Sequence, residues 1–303
     1  MDCNSRNGRG GTMNRPLYFL PRQTADLAGS RWNLYLVGAG GTGSWILRNL
    51  ARLCLSPQLA TERIASVTVI DDDVVEPRNV GRQDFHAQEV GLPKAEALTR
   101  RYNRYWGTAF RCVPQRLKAS DIGKGKLIPP GSLNEPTLII GAVDSGASRQ
   151  AIHNAVLKAS NRGARRAIYW LDSGNSEHSG QIVWGNSHSS DDIGALESAI
   201  ACEYLPYPTL LFPELLEDEP EPEPGCVEMA PNPQSLLINS FMGTLAVQML
   251  AQMLEGELNT HYISVDLHGF QMSRQVLTQA WLASMADLVQ ELALQRSKTT
   301  AKK

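Results

Sequence analysis

Paired cysteines, a charge excess of either sign and long apolar runs are all missing from this 303-residue chain. No stretch approaches the roughly 18 consecutive apolar residues of a membrane helix. Met1 to Met13 is polar and lacks the apolar core of a signal peptide, so a cytoplasmic protein with no membrane partner is expected. Cys3, Cys54, Cys112, Cys202 and Cys226 are an odd count at wide spacings with no C-x-x-C pair. That pattern argues against a disulfide framework and against a structural zinc clasp. With 29 Lys and Arg against 31 Asp and Glu, the net charge of -2 gives no global reason to expect nucleic acid as a partner. At 42% hydrophobic and 20% charged, the composition is that of a folded globular chain.

What is present is an alternation of short apolar runs and amphipathic segments. Asn33 to Val37 is an apolar run that stops at glycines, and Ser44 to Cys54 places Trp45, Ile46, Leu50 and Leu53 at helical spacing. A second strand, Ser66 to Ile70, ends in Asp71-Asp72-Asp73, which makes the first unit βαβ and the sheet parallel. Ala95 to Tyr105 reads as helix, Ala109 to Val113 as strand, Thr137 to Ala142 as a fully buried strand and Ser148 to Ala159 as helix. The fold class is α/β, a Rossmann-like doubly wound and mainly parallel sheet. Ala167 to Leu171 and Gly180 to Trp184, joined by a Gly, Asn and Ser-rich connection, give the C-terminal half an antiparallel extension. Residues 1 to 15 and 297 to 303 are polar tails around one domain, 16 to 296. A nucleotide-binding half covers about 33 to 165 and a substrate half about 166 to 296, with a mobile acidic loop at 214 to 226 and a strong core helix over Ser235 to Leu254.

Gly38, Gly40, Gly41 and Gly43 form G-x-G-G-x-G directly between the first strand and its helix. Glycines there let the backbone turn tightly and approach a phosphate held on the free N–H groups of a helix N-terminus. A turn that only packs strand on helix is the plainer alternative. Asp71, at the end of the second strand, is placed to accept ribose hydroxyls, with Asp73 close behind. Its spacing of 28 residues from Gly43 exceeds the roughly 20 of a dinucleotide fingerprint, which disfavours an NAD(P)-dependent oxidoreductase. Asn79, Arg82, Gln83 and Lys94 follow before the next helix, and the two cations suit a nucleoside triphosphate better than a pyrophosphate. Asp144, just beyond the buried strand TLIIG, lies at the carboxyl edge where ligands bind, and beside triphosphate oxygens its expected role is magnesium.

The strings GAGGTGS, VIDDDVVEPRNVGRQ, GLPKAEAL and VDSGASR, in order from about Leu34 to Arg149, resemble the adenylating family of ThiF, MoeB and the ubiquitin-activating enzymes. In the second half YLPYPTLLFPEL and WLDSGNSEHSGQIVWG resemble the ThiF-related members of the bacterial PRTRC cassettes. The resemblance implies transfer of AMP from MgATP to the C-terminal carboxylate of a small ubiquitin-like protein. It implies that Asp71 holds the ribose, that Asn79, Arg82 and Lys94 hold the phosphates, and that Asp144 binds magnesium. A homodimer is implied as well, with Arg15, Arg22 or Arg31 reaching the partner's site. The zinc-binding C-x-x-C pairs of many relatives are absent, so no structural zinc is expected. A non-catalytic scaffold of the same fold stays open as an alternative.

By resemblance, Cys226 falls where relatives carry a thioester-forming cysteine, although the carboxylates around it should raise its pKa. Cys202 is the alternative nucleophile, its plainer reading being a core thiol, and Cys54 and Cys112 are expected in the core. The six histidines show no metal-ligand spacing, and His178 alone, in the DSGNSEHSG connection, is a candidate for holding the incoming chain.

Overall fold

A computed structural model of the chain describes residues 14–19, 30–57, 62–123, 125–129, 135–160, 168–193, 196–198, 201–217 and 236–300. A two-residue strand, β1 (Tyr18–Phe19), is followed by β2 (Trp32–Val37), helix α1 (Gly41–Leu53) and β3 (Ile64–Ile70). Then come α2 (Lys94–Trp106), β4 (Arg111–Val113), β5 (Thr137–Gly141), α3 (Gly146–Ser160), β6 (Ile168–Asn175), β7 (Ser179–Gly185), β8 (Leu196–Ser198) and β9 (Ala201–Cys202). The chain closes with α4 (Leu236–Glu255), the hairpin β10 (Thr260–Asp266) and β11 (Gln271–Val276), and α5 (Gln279–Thr300).

Eight of these strands form one sheet in the order β11-β10-β7-β6-β5-β2-β3-β4, so a single sheet runs through both halves of the chain. Strands β4, β3, β2, β5 and β6 pair in parallel. β6 and β7 are joined by only a few residues, too few for the crossover a parallel pair requires, and they pair antiparallel, as β7 does with β10 and β10 with β11. The antiparallel extension therefore starts at the β6–β7 pair, in the C-terminal half as the sequence suggests. Alternate residues of β2 feed two cores. Leu34 and Leu36 pack with Ile46, Leu47 and Leu50 of α1 and Met242, Met249 and Leu250 of α4, while Tyr35 and Val37 pack with Ile152 and Val156 of α3 and Met285 and Val289 of α5. Burying each Leu or Ile contributes about 1.5–3 kcal/mol, which is why a strand apolar on both sides lies inside the sheet.

Four expectations are corrected. Cys112 is exposed because β4 is the sheet's edge strand and only Arg111–Val113 pair. Segment Leu237–Glu255 of α4 is long and apolar enough to span a membrane, although most of it is buried against α1 and the sheet. Residues 297 to 300, expected as tail, belong to α5. The acidic loop expected from 214 opens with a 3₁₀ turn, Pro213–Leu216, in which Leu215 is buried. The rest of that loop from 218 lies outside the described residues.

On β10, His261 is fully buried and its Nδ1 accepts a 3.0 Å hydrogen bond from Trp281 Nε1 of α5. Burial lowers its pKa to about 4, so the ring is neutral with its proton on Nε2. The unfolded chain takes up this proton near pH 6.5, whereas the folded chain resists it until about 4. Stability is therefore complete above pH 6.5 and declines as pH falls toward 4, by about 3 kcal/mol. Urea midpoints at pH 7 and 4.5 should differ by less in His261→Gln than in the wild type.

Candidate active site

The parallel register brings three strand ends to one edge. Val37 pairs with Ile70 and with Gly141, so the residues that follow, Gly38, Asp71 and Ala142, emerge side by side. Gly38 N donates to Ile70 O at 2.9 Å and Ala142 N to Val37 O at 2.8 Å. Gly38 has φ +91°, and a Cβ on it would lie 2.4 Å from Ala142 O, while a Cβ on Gly43 would lie 2.0 Å from Gly38 O. Both clashes involve backbone, so any side chain there would force the turn open. Gly40 forms the N-cap of α1 with no side-chain cap, and nothing approaches its open side more closely than Gln83 Nε2 at 3.9 Å. The first N–H groups of a 13-residue helix are thus left without a side-chain cap beside a glycine turn, the arrangement that receives a phosphate.

Asp71 closes this loop from beside it. Its Oδ2 accepts from Ala39 N at 2.6 Å and its Oδ1 from Asp73 N at 2.8 Å. Burial raises its pKa, opposed by those two hydrogen bonds and by Lys94. The residue expected on the ribose therefore also shapes the glycine turn, a role its sequence position did not reveal. Asp73, exposed, accepts from Lys94 Nζ at 2.7 Å, and Lys94 N donates to Asp73 O at 2.8 Å. Lys94 itself is 6% exposed at the N-terminus of α2, where the helix dipole opposes a cation. A buried lysine held at the wrong end of a helix dipole beside a carboxylate is costly to keep for stability alone. Asn79 ends a 3₁₀ turn, Pro77–Asn79, and its Oδ1 accepts from Glu76 N at 2.8 Å. Arg82 is half-buried and, among the described residues, forms no ion pair. Gln83 Oε1 is buried without a hydrogen-bond partner. Asp144 is exposed in the β5–α3 connection, at the same edge.

Three groups that sequence reasoning passed over support this edge. Asp84 N donates to Ser44 Oγ at 3.1 Å, and its carboxylate takes Arg48, Arg101 and the Tyr102 hydroxyl, which clamps the segment carrying Asn79, Arg82 and Gln83 onto α1 and α2. Asn239 of α4 approaches the loop on its other side: its Oδ1 lies 3.1 Å from Thr42 Oγ1 and accepts from Asn175 Nδ2 at 3.0 Å. Thr42 Oγ1 also lies 2.6 Å from Asn175 Oδ1. Behind Asp144, Arg149 Nε donates to Asp172 Oδ2 at 3.1 Å in a pair where Asp172 is 1% exposed. Burial pushes the Asp172 pKa up and Arg149 pulls it back. Arg149 follows Asp144 by five residues, but its partner is distant in sequence, so nothing local signalled the pair.

The remaining candidates disperse. Cys202 is fully buried with its thiol pushed up to about 12, and Cys54 is half-buried with its thiol pushed up to about 11. Both are protonated and inert at neutral pH, Cys202 as the core thiol of its plainer reading. Cys226 and Arg22 lie outside the described residues. Arg31 donates to Ile64 O at 2.9 Å where β2 and β3 begin, and Arg15 precedes Pro16, which bridges Thr278 past the end of β11. Both therefore lie at the amino edge, opposite their own glycine loop. His178 pairs with Glu177 at 3.2 Å and its ring lies 5.8 Å from that of His268, at the tip of the β6–β7 turn. Among the described residues, the carboxylates close enough together to share a cation are Asp71, Asp72 and Asp73, and Asp144 stands apart from them.

A parallel sheet that ends in an uncapped glycine turn, with a buried lysine and acids on neighbouring strand ends, defines an α/β protein of the Rossmann type. The ThiF family model matches residues 20–281, and the chain belongs to that family. It is 40% identical over 72 residues to the adenylyltransferase and sulfurtransferase UBA4 of Yarrowia lipolytica, covering 24% of this chain and 15% of the relative. It is 29% identical over 126 residues to the NEDD8-activating enzyme E1 catalytic subunit of Saccharomyces cerevisiae, covering 41% of this chain and 37% of the relative. The chain thus matches well under half the length of these curated relatives. Among solved structures it shares its fold with PaaA, at TM-score 0.52 and 16% identity over 84% of this chain and 75% of that one. E. coli MccB is similar, at TM-score 0.52 and 14% identity over 84% of this chain and 66% of that one.

Proposed function

We propose that the protein uses MgATP to adenylate the C-terminal carboxylate of a small ubiquitin-like, β-grasp protein. The observation that carries this reading is the union, at one sheet edge, of an open helix N-terminus with Lys94, Arg82 and Asp144. A nicotinamide cofactor has no use for the extra cations, and a scaffold has no need to keep Lys94 buried against a helix dipole. The family membership and the names of the two curated relatives support an activating enzyme. The PRTRC-like phrases in the second half favour a ubiquitin-like substrate, and a cytoplasmic homodimer is the setting that goes with it.

In the reaction the substrate carboxylate oxygen attacks the α-phosphorus, an acyl–O–P bond forms, and the bond from the α-phosphorus to the bridging oxygen breaks to release pyrophosphate. Two anions must meet in this step, so positive charge on the phosphates lowers the barrier. The glycine turn and the N–H groups of α1 would hold phosphate oxygens, Asp71 the ribose, and Arg82 and Lys94 the charge that builds up on the leaving pyrophosphate. Asn79 and Gln83 would line the same pocket, the buried and unpartnered Gln83 Oε1 being free to accept from the nucleotide. Asp144 fits magnesium, which binds through one or two carboxylates and completes its shell with phosphate oxygens and water. Such an ion would neutralise phosphate charge. No covalent protein intermediate is needed for adenylation.

ATP–pyrophosphate exchange, measured with magnesium and a panel of β-grasp proteins that end in a free carboxylate, tests the reading. Exchange that depends on the protein partner is expected, and ATP binding without exchange for any partner would move the weight to the scaffold. A thioester step is proposed on Cys226, whose sulfur would displace AMP from the acyl carbon as the thiol proton is lost. Cys226→Ala should keep full exchange and lose only a reductant-sensitive adduct seen on non-reducing gels.

A further inference from the structure

The net charge of -2 conceals one strongly basic stretch that folds at the edge of the sheet. Residues 94–118 carry seven cations against one acid, Glu96, and two of the seven are engaged: Lys94 rests on Asp73, and Arg101 on Asp84 and Glu89. The other five, Arg100, Arg104, Arg111, Arg116 and Lys118, are exposed and form no ion pair among the described residues. Like charges gathered this way repel one another, so they add nothing to the stability of the fold. β4, which carries Arg111, pairs only with β3, and its outer backbone edge is unpaired among the described residues.

Aromatic rings come to the surface at the same place. Tyr102, buried on the core side of α2, stacks on Trp106 with ring centres 5.2 Å and planes 7° apart, and Trp106 meets Tyr105 edge-on at 5.4 Å. Tyr105 lies in the last turn of α2, next to Arg104, and is 76% exposed. After the helix the chain folds straight back. Asn103 Oδ1 accepts from Phe110 N at 2.8 Å and Asn103 Nδ2 donates to Phe110 O at 2.9 Å, which holds Arg111, the next residue, at this helix end. The ring of Tyr105 serves no core, yet the rings behind it fix its place, so a flat ligand can stack there at a small ordering cost.

We infer that the end of α2 and the edge strand β4 bind single-stranded nucleic acid, with a base stacked on Tyr105 and backbone phosphates held by Arg100, Arg104 and Arg111. Charge alone would suit an acidic peptide as well. The exposed ring decides between them, because every base offers a π-face, and stacking on aromatic side chains among cations holds a strand without reading its sequence. The three cations around the ring are all arginine, whose planar guanidinium stacks on bases and takes two phosphate oxygens at once. A duplex keeps its bases in the stack and leaves the ring without a partner. The surface is separate from the nucleotide site: Lys94 opens α2 there, and Tyr105 is eleven residues, about 16 Å, further along the helix. The inference therefore does not rest on the adenylation reading. The remote acids of the C-terminal half do not oppose it, since exposed charges beyond about 10 Å are screened at about 0.1 M salt.

The test is fluorescence anisotropy with the full chain and no ATP, using oligo-dT and oligo-U of about 12 nucleotides, a duplex of the same length, and polyglutamate as a competitor. Both single strands should bind, and log affinity should fall with log salt at a slope of about -2, from three phosphates at roughly 0.7 each. Arg104→Gln with Arg111→Gln should weaken binding at least about tenfold at about 50 mM salt and flatten the slope by about 1.4. Tyr105→Ser should weaken it about tenfold and leave the slope unchanged. ATP affinity and urea midpoints should stay as in the wild type in both variants, because all three side chains are exposed. Binding of either strand that follows this pattern supports the inference, and a difference between the two names the sugar. Absence of binding, a duplex bound as tightly as the single strands, or binding indifferent to the three substitutions would overturn it. Polyglutamate that displaces the strands as well as unlabelled oligo-dT does would give the surface to an acidic protein and overturn it too.

Discussion

Lys94→Met is expected to abolish partner-dependent ATP–pyrophosphate exchange, lowering it by at least about 100-fold, while leaving the fold intact. The size follows from where the cation sits. Lys94 is 6% exposed, so its charge acts in a medium that screens poorly, and it stands at the end of a sheet edge that holds the glycine turn and Asp71. Removing one preorganised donor from developing phosphate charge costs about 2.7–4 kcal/mol of barrier in comparable sites. The same substitution costs little stability. Its partner Asp73 has a side chain 64% exposed, so the carboxylate returns to water, and Met keeps the volume of the buried stem. A variant that loses exchange with an unchanged urea midpoint satisfies the prediction. Full exchange would remove Lys94 from the site.

Arg149→Ala should do the reverse, with its largest effect on stability. Asp172 is 1% exposed and its described ion-pair partner is Arg149. Taking away the guanidinium leaves a carboxylate in the interior, and breaking a buried pair from one side costs about 3–5 kcal/mol. The pH dependence supplies a signature. Burial already raises the Asp172 pKa, and without Arg149 it rises further, so the folded variant binds a proton that the unfolded chain has released. The folded state then holds more protons, and the variant must lose stability as pH rises through that folded pKa. Urea unfolding from pH 5 to pH 8 should therefore show a midpoint falling with pH more steeply in Arg149→Ala than in the wild type. Replacing both partners by apolar residues of similar volume should recover most of the loss, because what costs free energy is the unpaired charge.

Local pattern accounts for how much of the fold could be read in advance. Apolar runs with glycine or aspartate at their ends mark β2, β3 and β5, since a strand covered on both faces is mostly apolar and ligands bind beyond the carboxyl ends of such strands. The helices α1, α2, α3 and α4 follow from spacing in the same way. The β10–β11 hairpin and α5 were not read. β11 (QMSRQV) is exposed along most of its length, so neither alternation nor an apolar run marks it, and its place comes entirely from pairing with β10. β4 was read two residues too long because Phe110, just before it, pairs its backbone N–H and C=O with the Asn103 side chain and not with β3. The small sheet of β1, β8 and β9 joins Tyr18 to Ala201 and Phe19 to Cys202, a parallel contact no local signal could announce.

By itself the sequence determined the alternating α/β order, the glycine turn, and the residues that can carry phosphate, ribose and magnesium, because each of these depends on residue type at short range. Tertiary structure alone decided which of them meet and what holds them. Parallel register set Gly38, Asp71 and Ala142 side by side, Lys94 came to rest on Asp73, and Asp84, Asn239 and the Arg149–Asp172 pair closed around the loop from far along the chain. Most of these contacts gain their strength because burial on at least one side removes competing water. Their worth is set by the surroundings the folded chain provides, which no stretch of sequence contains.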